Sequence, residues 1–61
     1  MKAELRFKIF KNRQILCNFV NDDFNKTEGE PVIDEILQIV ETTENGSPRF
    51  VLYYFRNPNA K

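Results

Sequence analysis

The chain has no histidine, no tryptophan, one cysteine and two glycines in 61 residues. Each scarcity excludes something. Without histidine the commonest general base and the commonest neutral metal ligand are missing, and neither a Ser-His-Asp nor a Cys-His site can be assembled within the chain. One cysteine permits no intramolecular disulfide and supplies one of the roughly four ligands a structural zinc site takes. Cys17, between Leu16 and Asn18 in an alternating apolar stretch, reads as a small buried hydrophobe. Gly29 and Gly46 lie too far apart for a phosphate-cradling loop. Catalysis would rest on carboxylates and lysines alone, and a chain this short rarely encloses a pocket of roughly 300 Å³ beside a core. The expectation is a non-enzymatic protein with no cofactor and no metal.

No apolar run approaches the ~20 residues of a membrane helix. The start, Met1 to Arg6, has no apolar stretch behind its charge of the kind a signal peptide carries. A cytoplasmic domain without a membrane role is expected. Residues 21 to 30 (NDDFNKTEGE) invite a calcium-loop reading, but a loop begun at Asp23 places Glu28 where glycine is needed and Asp34 at the twelfth position. A solvated, turn-rich loop is the better reading.

The rest of the pattern predicts a single α+β domain over residues 1–57, with a polar tail at 58–61. Ala3, Leu5, Phe7 and Ile9 alternate with Lys2, Glu4, Arg6 and Lys8, the period of a half-buried strand. Lys11, Asn12 and Arg13 form a turn. Gln14 to Val20 reads as a second strand, with Ile15, Cys17 and Phe19 on one side. Ile33, Ile36, Leu37 and Val40 recur at helical spacing behind Pro31, with Asp34 and Glu35 near the helix start, and Asn45-Gly46 supplies a stop. Phe50 to Phe55 is dense in β-formers. The expected architecture is a small antiparallel three-stranded sheet with one helix on one face, ββαβ in strand order 2-1-3, the first strand central. The alternative is ββαββ. Residues 39–44 are β-branched and precede Asn-Gly, the strongest short hairpin signal, so the helix could stop near Gln38 and 39–44 pair as an extra strand.

Two features point to function. The first is segregated charge. Residues 1–20 sum to +4, residues 21–46 to −7 and residues 47–61 to +3, so neutrality is a cancellation. The acid comprises Asp22, Asp23, Glu28, Glu30, Asp34, Glu35, Glu41 and Glu44, a candidate partner-binding face toward a basic surface. The second is apolar surplus. At 41% apolar the chain holds more than one helix on one sheet face can bury. Arg6, Lys8, Phe10, Arg49, Val51, Tyr53 and Phe55 are assigned to the open sheet face, as a partner or dimer surface. The leading expectation is a small protein-binding module that inhibits or modulates a partner protein by occluding its surface, in the style of small proteins of phages and mobile elements, in one form competing with nucleic acid through the acidic face. The alternatives are a nucleic-acid binder stacking bases on a basic, aromatic sheet face, and a structural homodimer.

Overall fold

The two β-richest segments flank Asn45-Gly46, and they pair. In the computed structural model, which describes residues 3–60, β2 (Ile33–Glu44) and β3 (Ser47–Arg56) form a long hairpin. Asn45 has φ 50° and Gly46 φ 80°, the left-handed pair that a two-residue hairpin turn requires. β1 (Glu4–Phe10) pairs antiparallel with the other side of β3, from Glu4 opposite Arg56 to Phe10 opposite Phe50. Between β1 and β2 the chain forms one helix, α1 (Arg13–Phe24). The protein is therefore α+β, with one helix and a three-stranded antiparallel sheet, as the sequence suggests.

The assignment of segments to elements differs. The order is βαββ and the strand order β1-β3-β2, so β3 is central rather than the first strand. The segment read as a second strand, 14–20, is helix. Asn12 caps it: its side chain accepts from the Ile15 backbone N–H at 2.9 Å. Leu16, Phe19, Val20 and Asp23 then recur at i, i+3, i+4, i+7 and form the face turned to the sheet, with Leu16 and Asp23 buried. Cys17 lies off that stripe and is exposed.

The segment read as a helix, 33–44, is strand throughout. The expectation of an extra strand at 39–44 is met, but within β2, and Gly46 turns a hairpin instead of ending a helix. Two register shifts, at Ile33/Glu35 and Ile36/Gln38, reconcile the apparent helical spacing with a sheet. Each inserts an extra residue, so Ile33, Ile36 and Ile39 fall opposite Arg56, Tyr54 and Leu52. Those three partners lie on one face of β3.

That face carries the core. Phe10, Leu16, Leu52 and Tyr54 are buried together, with Leu52 fully enclosed, and Phe19, Val20, Val32, Ile33 and Phe50 pack around them. Phe10 and Phe19 meet at 5.5 Å between ring centroids, tilted by 46°. Residues 57–60 close the same end of the core: Asn57 donates to the carbonyls of Val32 and Pro31, and Arg56 donates to Ala60, which is buried.

Removing the cap separates the helix from the strand reading. Asn12→Ala is expected to cost about 1 kcal/mol of stability and to lower helical ellipticity. Gln14→Ala is expected to leave both within about 0.5 kcal/mol, because Gln14 is exposed and bonds only Asn18. Urea denaturation followed by circular dichroism checks both.

Candidate protein-binding surface

Directly opposed residues in an antiparallel pair share a face. Since Phe50, Leu52 and Tyr54 face α1, the residues between them, Arg49, Val51, Tyr53 and Phe55, face the other way. Opposite them on β1 stand Leu5, Phe7 and Ile9, and opposite them on β2 stand Glu35, Gln38, Val40 and Thr42. The result is four rows across the open face. Leu5, Phe55 and Glu35 form the first. Phe7, Tyr53 and Gln38 form the second, and Ile9, Val51 and Val40 the third. Arg49 and Thr42 form the fourth, and Ser47 and Glu44 lie beyond them at the hairpin end.

The middle of this surface is apolar and open to solvent. Leu5, Phe7 and Ile9 are 60%, 62% and 50% exposed, far beyond what a strand packed on its apolar side retains. Phe7 leans on Tyr53 with 6.1 Å between ring centroids. Val51, on the central strand between its cross-strand neighbours Ile9 and Val40, is buried. α1 and residues 57–60 both pack on the opposite face, so no described segment of the chain covers this one. Contiguous exposed apolar surface of this kind marks an interaction site.

The alternation of the first strand was readable, but its apolar side was expected under the helix and is on the open face. Of the residues assigned to the open face, Arg49, Val51, Tyr53 and Phe55 lie there. Arg6, Lys8 and Phe10 do not. They sit opposite Tyr54, Leu52 and Phe50 on the helix side. Phe10 is core. Lys8 places Nζ 4.5 Å from the Phe19 ring centroid, its stem covering the edge of the core, and Arg6 pairs with Glu4 on its own strand. Arg13 similarly caps Phe50, at 5.5 Å. The sequence missed Leu5, Phe7, Ile9 and Val40. The signal was present in the parity of Phe10: an aromatic out of phase with Leu5, Phe7 and Ile9 must face the opposite way.

The eight acidic residues do not converge. Asp23 is buried and accepts from the backbone N–H groups of Val32 at 2.7 Å and Ile33 at 2.9 Å, with Lys26 Nζ at 3.5 Å. It joins the end of α1 to the start of β2. Asp22, Glu28, Glu30 and Asp34 lie at that end of the molecule, whereas Glu41 and Glu44 lie toward the hairpin tip of a molecule 38 Å long. That separation exceeds a Debye length of about 8 Å several-fold, so the two groups do not act on one partner charge. Two of the eight stand on the open face, Glu35 beside Phe55 and Glu44 opposite Ser47 at the other end.

No group of three or more acidic, cysteine or histidine side chains among the described residues is placed to hold a metal. No helix among them is long and apolar enough to cross a membrane. A shallow depression lined by Lys26, Glu28, Gly29, Glu30 and Asn59 mixes both charges and encloses no reactive pair. Comparison with known protein families, with curated proteins and with solved structures returns no match.

The division of labour among the acids is testable. Asp23→Ala leaves two backbone N–H groups without their acceptor and is expected to destabilise the fold by about 2–4 kcal/mol. Asp22→Ala, one residue away and exposed, is expected to change stability by no more than about 0.5 kcal/mol. Urea unfolding of the two variants side by side provides the measurement.

Proposed function

We propose that this chain is a non-enzymatic protein-binding module, acting as an inhibitor or modulator that covers a surface of a partner protein, and that its working surface is the open sheet face. The observation that supports this is the row of Leu5, Phe7 and Ile9 standing half exposed or more beside Tyr53. Folding leaves this apolar surface in water, and a partner that covers it recovers the hydrophobic stabilisation folding did not use. Aromatic side chains with polar and charged residues at the margin, here Gln38, Thr42, Glu35 and Arg49, have the composition that protein interfaces favour.

The nucleic-acid reading required Arg6 and Lys8 beside Tyr53 and Phe55. They lie on the opposite side of the sheet, so the aromatic face carries Arg49 as its cation and the two acids Glu35 and Glu44. Phosphate binding draws on several clustered cations, and this face does not offer them. The docking of the acidic segment as one unit loses its basis with the dispersal of its residues. A cytoplasmic setting belongs to the same proposal: Cys17 is an exposed free thiol, which a reducing compartment keeps as such.

The test is affinity capture from source-cell lysate with the wild-type chain and a Phe7→Glu variant in parallel. Phe7 is exposed, so the substitution is expected to leave the circular dichroism spectrum unchanged. Proteins retained by the wild type and lost at least tenfold by the variant support the open face as the working surface. Equal retention by both, with the variant folded, refutes it.

A further inference from the structure

The sheet has two edges, and they are not alike. β3 is central, so β1 and β2 each have a neighbouring strand on one side only. On its outer side every second residue of such a strand turns its backbone N–H and C=O away from the sheet, a template for one more strand. β2 blunts that template. Its two register shifts, at Ile33/Glu35 and Ile36/Gln38, each insert a residue that interrupts the ladder and bends the strand. β1 pairs with β3 from Glu4 to Phe10 without a shift, and Glu4 to Ile9 are all exposed. No described segment of the chain pairs with its outer side.

We propose that β1 takes up one more strand, an extended segment of a partner protein in which acidic residues alternate with apolar ones, paired antiparallel to it. The proposal rests on the reading of this chain as a protein-binding module. It adds an edge to the open face, since β1 carries Leu5, Phe7 and Ile9.

The side chains of β1 set both halves of the pattern. Directly opposed residues of an antiparallel pair share a face. A strand laid along β1 therefore sets alternate residues beside Leu5, Phe7 and Ile9, and the residues between them beside Arg6 and Lys8 on the helix side. Apolar residues suit the first set. They flank Leu5, Phe7 and Ile9 on the bare side as Phe55, Tyr53 and Val51 do on the other. The second set meets positive charge. Arg6 and Lys8 stand about 7 Å apart along the strand, and Lys11 and Arg13 follow where the chain leaves β1 for α1. Glu4 pairs with Arg6. Among the described residues no carboxylate pairs with Lys8, Lys11 or Arg13. The Lys8 ammonium rests over the Phe19 ring, 4.5 Å from its centroid, which holds the charge in place without neutralising it. Carboxylates at alternate positions of the added strand stand opposite Arg6 and Lys8.

The same charges turn away a second copy of the chain. Two β1 strands joined in the antiparallel register that uses all seven residues are centred on Phe7 and set Arg6 opposite Lys8 twice. Like charges directly opposed are destabilising. The β2 strand of another copy is acidic, but Glu41 and Glu44 lie on opposite faces of it, and its bulged half does not follow an unbroken ladder. Arg6 and Lys8 thus guard the edge against its own kind and select an acidic strand.

The probe is a synthetic peptide of about nine residues alternating valine with glutamate. Its controls are a valine–lysine peptide of the same pattern and a peptide of the same valine–glutamate composition arranged in two blocks. Titration from about 10 μM to about 2 mM, followed through the amide chemical shifts of the isotope-labelled full chain, covers the affinity of a short added strand. The alternating glutamate peptide is expected to bind saturably and roughly tenfold more tightly than either control. At saturation, hydrogen exchange is expected to slow at alternate amides of Glu4–Phe10. Lys8→Glu is expected to weaken the glutamate peptide roughly fivefold and to strengthen the lysine peptide by a similar factor. Exchange in the wild type stands as an independent arm should Lys8→Glu misfold.

No binding at the highest concentration, or equal binding of all three peptides, overturns the acidic strand. The open face survives that result, because its own test is capture by the wild type against Phe7→Glu. Saturable binding that shifts Val51, Tyr53 and Phe55 without protecting alternate amides of β1 overturns the edge and supports the face. Protection of β1 that does not respond to Lys8→Glu overturns the selection by charge. Alternate amides of β1 already protected in the concentrated chain alone overturn this partner in favour of a second copy.

Discussion

The Asp23 carboxylate fastens the end of the helix to the start of β2, and the one-sided core depends on that joint. It sits at the last turn of α1 and accepts two consecutive N–H groups at the start of β2, Val32 and Ile33. A charged acceptor held by two backbone donors is among the stronger hydrogen-bond arrangements available to a chain this size. With the helix end fastened there and β1 and β2 running parallel on either side of β3, the right-handed crossover lays the apolar stripe of α1 on one face of the hairpin, the one carrying Phe50, Leu52 and Tyr54. Everything on the opposite face is then left to solvent. The exposure of Leu5, Phe7 and Ile9 is a consequence of this connection and not a defect of packing.

The part of the fold that was legible is the part where one signal stood alone. The alternation of 3–10 has period two and nothing else, and it is β1. Phe50 to Phe55 is β-rich without helical phase, and it is in β3. Where two signals competed the outcome turned on local chemistry. In 14–20, Ile15, Cys17 and Phe19 suggest alternation, while Leu16, Phe19 and Val20 suggest a helix. The Asn12 side chain, by satisfying the Ile15 N–H, starts the helix at that point. In 33–44 the three-residue spacing of Ile33, Ile36 and Ile39 imitates a helix, and it is a strand because two extra residues step the side chains back onto one face. A strand with regularly placed bulges and an amphipathic helix share this pattern, and the β-branched content and the Asn-Gly turn distinguish them.

The candidate surface was legible to the same degree. Residues of the last strand were assigned to the correct side, since Arg49, Val51, Tyr53 and Phe55 share one parity. Residues of the first strand were not, because parity says which side chains go together and not which group faces the helix. The charge pattern misled for a related reason. A run of −7 over residues 21–46 is compact in sequence, but a twelve-residue strand carries its far end along most of a molecule 38 Å long. Segregation along the chain became dispersal in space, with Asp23 withdrawn into the structure altogether.

Size connects these observations. A chain of about 60 residues buries only about 60% of its unfolded surface, and here the enclosed core is little more than Phe10, Leu16, Leu52 and Tyr54. Whatever covers the open face binds the folded chain and not the unfolded one, so it adds to stability by mass action as well as completing an interface. One end of that face carries Glu35 and the other Arg49 with Glu44, and its two middle rows differ in bulk. A flat apolar sheet with neither feature would associate in many registers, as exposed strands do when nothing fixes their alignment. Glu35 at one end, Arg49 with Glu44 at the other, and the step from Tyr53 to Val51 give this face features by which a partner can be aligned, which is what distinguishes a specific contact from aggregation.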